Sequence, residues 1–107
     1  MTLRFSPHAQ TLFQDVLFTI EEELSYEDAV RWHDKIIDAI AQLGDFPRSC
    51  PIIPIECYRA VPPNSDRLHQ LIVKPYRIVY EVVEDEVRIL SIRHGRMLVA
   101  LNDVSWH

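Results

Sequence analysis

The residues best suited to chemistry lie between positions 76 and 96, in the stretch YRIVYEVVEDEVRILSIRHGR. It carries Arg77, Arg88, Arg93, His94 and Arg96, in a chain whose formal net charge is −5. A guanidinium is permanently charged and offers a planar fork of donors that fits carboxylate or phosphate. Set into apolar sequence it needs a partner, because an unpaired charge out of water is costly. For Arg77 two kinds of partner stay open: an acidic residue of its own chain, such as Glu81, or an external phosphate or carboxylate. Arg88 and Glu81 suit a cross-strand ion pair, worth under about 1 kcal/mol if exposed.

The charge is unevenly spread. Residues 1–57 hold four Lys/Arg against ten Asp/Glu, and residues 58–96 hold seven against five, which predicts faces of opposite sign. The acidic balance argues against strong non-specific nucleic-acid binding, while the basic half leaves room for a local anionic or acidic partner. At 107 residues the chain forms one domain, 1–107, able to bury a core without disulfides or a structural metal. Cys50 and Cys57 flank a proline-rich loop with no neighbouring ligands, so free thiols, no metal site and no cofactor are expected. The start MTLRFSPHAQ lacks a signal-peptide pattern, and no apolar run approaches the roughly 20 residues a bilayer requires. A cytoplasmic protein with no membrane partner is the expectation.

These side chains must be positioned by the elements around them. Residues 2–5 suit a short strand. Ser6 and Pro7 then open a helix, serine as cap and proline at the first helical position. Ala9, Leu12, Phe13, Val16, Leu17, Ile20 and Leu24 give it one apolar stripe. Ser25 and Asp28 resemble a capping box for a second helix, whose stripe runs through Ala29, Trp32 or His33, Ile36, Ile37, Ile40 and Leu43. His33, beside that stripe, reads as a packed histidine rather than a ligand. Gly44 suits a left-handed stop. The short link makes the two helices an antiparallel hairpin. Five prolines keep residues 46–66 irregular. Strands are expected over 67–73, 76–83 and 86–94. The predicted class is α+β, in the order β-α-α-β-β-β, with the helical hairpin on one face of a small antiparallel sheet. No pattern assigns a place to the last ten residues, LVALNDVSWH.

A turn at Glu84–Asp85 pairs Val83 with Glu86, Val82 with Val87, Glu81 with Arg88 and Tyr80 with Ile89. Continued without interruption, it pairs Val79 with Leu90, Ile78 with Ser91, Arg77 with Ile92 and Tyr76 with Arg93. The face bearing Ile78, Tyr80 and Val82 then meets the helices. The other presents Arg77 and His94 at one end of an open apolar floor, Val79 and Leu90. A slip of one residue exchanges the faces.

The stretch 76–96 resembles the C-terminal signature of the RelE/ParE superfamily of type II toxin–antitoxin toxins: Tyr-Arg-Ile-x-Tyr, an acidic turn, Val-x-Ile-Leu, then His-x-Arg-Arg, of which His94, Gly95 and Arg96 fill the first three places. LRFSPHAQTLFQDV resembles that superfamily's strand–Ser-Pro–helix opening, and AVRWHDKIIDAIAQLGDFP its second helix. The likeness spans about residues 3–97. It implies the fold order given above and a bacterial growth-inhibiting toxin of the plasmid-stabilisation kind, neutralised by a cognate antitoxin. Arg77, Val79, Leu90 and His94 are then the expected antitoxin-binding residues.

The superfamily divides in mechanism. RelE-like members cut mRNA on the ribosome, which requires a group to activate the 2′-OH, one to protonate the leaving oxygen, and cations for the phosphate. Arg77 matches their strand arginine, and His94 and Arg96 could complete a reduced catalytic set. Their lysine pair falls near Leu68 and Gln70 here, their second signature arginine falls at Met97, and no tyrosine follows Tyr80. ParE-like members resemble inhibitors of DNA gyrase without known catalytic residues, and the long helical hairpin and missing lysines are similar to that branch. The resemblance therefore implies a toxin that binds its target, DNA gyrase, rather than an enzyme. The alternatives are an mRNA endoribonuclease using Arg77, His94 and Arg96, and a binding protein of the same fold without toxicity.

Overall fold

The computed structural model describes all 107 residues. Its elements are β1 (Thr2–Phe5), α1 (Pro7–Glu23), α2 (Tyr26–Ala41), β2 (His69–Val73), β3 (Tyr76–Val83) and β4 (Glu86–His94), in the order expected from sequence. The sheet order is β1-β4-β3-β2. β2, β3 and β4 pair antiparallel, but β1 pairs parallel with β4, so the sheet is mixed. Tight turns impose antiparallel pairing only on consecutive strands. β1 reaches β4 by way of two helices and two further strands and is free to align with it.

Both helix starts behave as their sequences dictate. The Ser6 hydroxyl accepts from the Ala9 N–H at 2.9 Å, with Pro7 at the first helical position. Ser25 accepts from the Asp28 N–H at 3.0 Å. Asp28 is too short to complete a capping box; it takes the Ser25 hydroxyl at 2.7 Å and pairs with Arg31. The end of α2 differs from expectation. Gly44 is not left-handed, and the helix tightens into a 3₁₀ turn over Gln42–Gly44. The Gly44 carbonyl receives the N-terminal amine at 2.9 Å, and a Cβ there would lie 3.3 Å from the Met1 carbonyl oxygen.

The helical hairpin covers one sheet face. Ala9, Phe13, Ile36, Ile40 and Leu43 close over Ile78, Tyr80, Val87, Ile89 and Ile92 as a continuous core. His33 stacks on Phe13, with centroids 5.6 Å apart, but it is exposed rather than packed in, and its Nδ1 lies 3.1 Å from Asp34 Oδ1. The β3–β4 turn falls at Glu84–Asp85, with Glu84 in the left-handed region at φ 55°. From Val83–Glu86 to Tyr80–Ile89 the register is the one read from sequence. It then shifts: Val79 pairs with Ser91, Ile78 with Ile92, Arg77 with Arg93 and Tyr76 with His94. Leu90 is an extra residue, a β-bulge.

The bulge has a clear cause. Strict alternation would turn Ser91 and Arg93 toward the helices and Ile92 away from them. One inserted residue reverses that parity and buries Ile92 completely. The bulge frees a backbone carbonyl that needs a donor. Ser6 supplies it: its hydroxyl donates to the Leu90 carbonyl at 3.3 Å, and its N–H donates to the Ile89 carbonyl at 3.0 Å.

The second sheet face is covered by the chain itself. Ile53, Tyr58 and Leu68 from the irregular segment join Val99 and Val104 from the tail over Val79 and Leu90. The Val99 N–H donates to the Cys57 carbonyl at 2.8 Å, and the Arg59 N–H to the Val99 carbonyl at 3.0 Å. Asp103, 2% exposed, accepts from Arg93 Nε at 2.9 Å on each oxygen and lies 3.0 Å from His8 Nε2. Trp106 lies under the Arg4 and Arg88 guanidiniums, at 5.6 and 5.0 Å. The last ten residues are therefore a docked strap.

Two substitutions test these contacts. Ser6→Ala removes a helix cap and the donor to the bulge, and should lower the unfolding free energy by about 1–2 kcal/mol in urea titrations. A loss below about 0.5 kcal/mol would mean that water replaces Ser6 at the bulge. Asp103→Ala strands Arg93 and should cost about 3 kcal/mol, with amide protection lost selectively over residues 99–106. Retained protection there would show that the apolar contacts alone hold the strap.

Candidate functional site

Tyr76 and His94 come together at the end of the β3–β4 ladder, where the bulge has placed His94 on the helix side. Their rings meet edge to face with centroids 6.1 Å apart, and Trp32 of α2 backs Tyr76 at 5.3 Å. Together with Arg96 and with Asp15 and Glu23 of α1 they line an open cleft of about 390 Å³. The Arg96 N–H donates to His94 Nδ1 at 3.2 Å. Nδ1 acts as the acceptor in this contact. Burial, and secondarily the nearby Glu23, push the Tyr76 phenol above its ordinary pKa. Arg96 is exposed and makes no ion pair.

Arg77 is not in this cleft. It lies on the other sheet face, opposite Arg93 rather than Ile92. Its Nε donates to Gln70 Oε1 at 2.9 Å, and its guanidinium NH1 to the Met97 carbonyl at 2.8 Å. Its partners are thus internal and neutral. Neither Glu81 nor an external anion is required to hold it.

The open floor expected beneath Arg77 is also absent. Val79 is 2% exposed and Leu90 fully buried, because the irregular segment and the tail strap pack on them. Sequence reading left the tail unassigned and so left this face bare. The four residues expected at an antitoxin surface separate accordingly: His94 opens on the cleft, Arg77 is half-buried on the opposite face, and Val79 and Leu90 are core. The expected Glu81–Arg88 pair is likewise not made, although the two are cross-strand partners. Arg88 Nε turns to Glu86 at 2.9 Å. That hydrogen bond, with Arg4 adding to it, holds the Glu86 carboxyl below the usual carboxylate range.

A second surface escaped the sequence reading. On the outside of the helical hairpin Leu17, Phe18, Tyr26, Ala29 and Val30 line an apolar groove of about 330 Å³. Phe18 and Tyr26 are 63% and 65% exposed. The signal for it was present: Phe18, Tyr26 and Val30 are large apolar residues off the core stripes of their helices. An exposed apolar groove between helices suits an amphipathic segment of another protein.

In chemical terms, the cleft offers one imidazole and one free guanidinium beside two carboxylates. Phosphodiester cleavage needs its proton-transfer groups and its phosphate-binding cations around one phosphate. Here Arg77 starts from the other sheet face and is held by Gln70 and the Met97 carbonyl, and Asp15 and Glu23 repel an incoming phosphate. No group of three or more His, Cys, Asp and Glu residues is placed to hold a metal ion. No helix is long and apolar enough to cross a membrane.

Comparison with known proteins agrees with the fold. No curated protein is significantly similar in sequence. Among solved structures, a chain of the chromosomal ParDE TA system from P. aeruginosa superposes with a TM-score of 0.68 at 15% identity. The match covers 88% of this chain and 95% of that one. The family described as "ParE toxin of type II toxin-antitoxin system, parDE" matches residues 3–99. With nearly its whole length matched, from β1 to the start of the tail strap, the chain belongs to the ParE toxin family of type II toxin–antitoxin systems.

Proposed function

We propose that this protein is a cytoplasmic growth-inhibiting toxin that acts by binding its target, and that a cognate antitoxin neutralises it. The observation that carries this reading is that Arg77 extends from the sheet face opposite His94 and spends its donors on Gln70 and the Met97 carbonyl, while His94 and Arg96 share their cleft with two carboxylates. A nuclease would need those cations around one phosphate. A binding toxin needs only surfaces, and two are present: the mixed-charge cleft at His94 and the apolar groove at Phe18. DNA gyrase is the target implied by the resemblance to ParE-like toxins.

The antitoxin contact is best accommodated by the groove and the cleft. The groove supplies apolar area for an amphipathic helix, and His94 and Arg96, in the cleft on the other side of α1, supply polar contacts. The related P. aeruginosa structure is titled as a toxin–antitoxin system, which fits a protein partner for this chain. Arg77 can contribute at the edge of that surface. Val79 and Leu90 can do so only if the tail strap lifts.

Induced expression should arrest growth while bulk mRNA stays intact, and the purified chain should inhibit gyrase supercoiling. Ribosome-dependent mRNA cleavage that disappears in His94→Ala would overturn the binding reading in favour of the endoribonuclease. Growth without arrest would leave only the fold-level role of a non-toxic binding protein.

Phe18→Glu tests the partner surface. It should weaken antitoxin binding at least tenfold, about 1.4 kcal/mol, with an unchanged melting temperature, because Phe18 contributes nothing to the core. Unchanged affinity in a calorimetric titration would move the antitoxin to another face.

A further inference from the structure

Behind the cleft, on the second sheet face, a groove of about 750 Å³ is walled by Pro62, Pro63 and Trp106, with Arg67 and Arg88 at its rim and Glu81 in its floor. Glu81 is 9% exposed, and no side chain or backbone N–H of the protein donates to its carboxylate. Its cross-strand neighbour, Arg88, is committed elsewhere. It donates to Glu86 at 2.9 Å and lies over the Trp106 ring at 5.0 Å. Arg67, on an exposed 3₁₀ turn, forms no ion pair. The Glu81 carboxylate opens into the groove, unlike the sealed hydroxyls of Tyr58 and Tyr80.

A carboxylate this deeply buried is costly unless it is paired and hydrogen-bonded. The fold could have removed the cost by swinging Arg88 across the strand. Instead Arg88 neutralises Glu86, whose carboxyl it holds ionised, and the acceptor in the groove floor is left free. A single carboxylate is too few ligands for a metal ion. A guanidinium suits the site better: its planar fork matches the carboxylate, and its flat faces pack on proline and tryptophan rings.

We propose that this groove is a docking site for an extended protein segment that inserts an arginine side chain onto Glu81. An acidic residue next to that arginine would meet the free Arg67. The groove lies on the opposite side of the sheet from the His94 cleft, so the two sites can be occupied together. The proposal rests on the toxin reading only for the identity of the protein that supplies the arginine.

The test uses the full chain and Nα-acetyl-arginine amide as probe, followed through the Trp106 indole N–H resonance, assigned with Trp106→Phe. Titration into the millimolar range should shift that resonance saturably, and Nα-acetyl-lysine amide should shift it less. Glu81→Gln should weaken the response at least tenfold, and Glu84→Gln, exposed in the β3–β4 turn outside the groove, should not. Glu81→Gln should also leave the melting temperature unchanged or raise it, since no hydrogen bond or ion pair of the protein to that carboxylate is lost. A lower melting temperature would mean that Glu81 pairs with Arg88 in solution, which overturns the proposal. Non-saturable shifts, or equal shifts in Glu81→Gln, would also overturn it. A Trp106 response to guanosine monophosphate but not to the arginine amide would assign the groove to a nucleic acid instead. These readouts need neither growth nor gyrase, so failure here leaves the toxin reading standing, and failure there leaves this site standing.

Discussion

The Ser6 hydroxyl occupies the point where the helical layer and the sheet are joined. It receives the Ala9 N–H at 2.9 Å and gives its own hydrogen to the Leu90 carbonyl at 3.3 Å. One fully buried side chain thus satisfies both the first turn of α1 and the bulge in β4. Much follows from that bulge. It sends Ile92 to the helices and Arg93 to the tail, and it puts His94 beside Tyr76. Without the extra residue, Arg93 would enter the main core and His94 would face the other way. The site at the end of the sheet is thus set by backbone parity before any side chain chooses a rotamer.

Arg93 carries the consequence to the second face. Turned away from the helices, it meets Asp103 and anchors the strap that buries Val79 and Leu90. His8, in the first turn of α1, touches the same carboxylate at 3.0 Å, and its N–H donates to the His107 carbonyl at 2.8 Å. The strap is thereby tied to the helix that Ser6 caps. Chain start, bulge and chain end form one connected set of polar contacts around the edge of the sheet. That explains how a chain with two glycines and no disulfide keeps both sheet faces covered.

What the sequence revealed and what it concealed divide along the range of the interactions. The caps at Ser6 and Ser25, the helical hairpin, the turn at Glu84–Asp85 and the first four β3–β4 pairs depend on neighbours within a few residues, and each was legible. The bulge was not. Its carbonyl is satisfied by a residue 84 positions away, and one added residue reverses the facing of everything after it. The error then propagated: a floor read as open is core, and Arg77 was grouped with a histidine that the sheet holds on its other side. The tail was illegible for a related reason. Its short apolar residues, Val99 and Val104, have no periodicity and acquire meaning only against Tyr58 and Leu68, from the loop they pack upon.

The same parity bears on mechanism. Side chains on opposite faces of a strand point into layers separated by the sheet, each about 10 Å from the next packed layer. Cleavage requires its donors and proton carriers within hydrogen-bond reach of one phosphate. An arginine and a histidine close in sequence can therefore be rooted on opposite sheet faces, and fold alone does not carry function. Here Arg77 braces Gln70 and the Met97 carbonyl, and His94 shares its cleft with Asp15 and Glu23. The cations that stand out in the sequence are mostly occupied by internal partners. The unpaired features that remain are an apolar helical groove, the buried Glu81 carboxylate and the exposed Arg67 and Arg96.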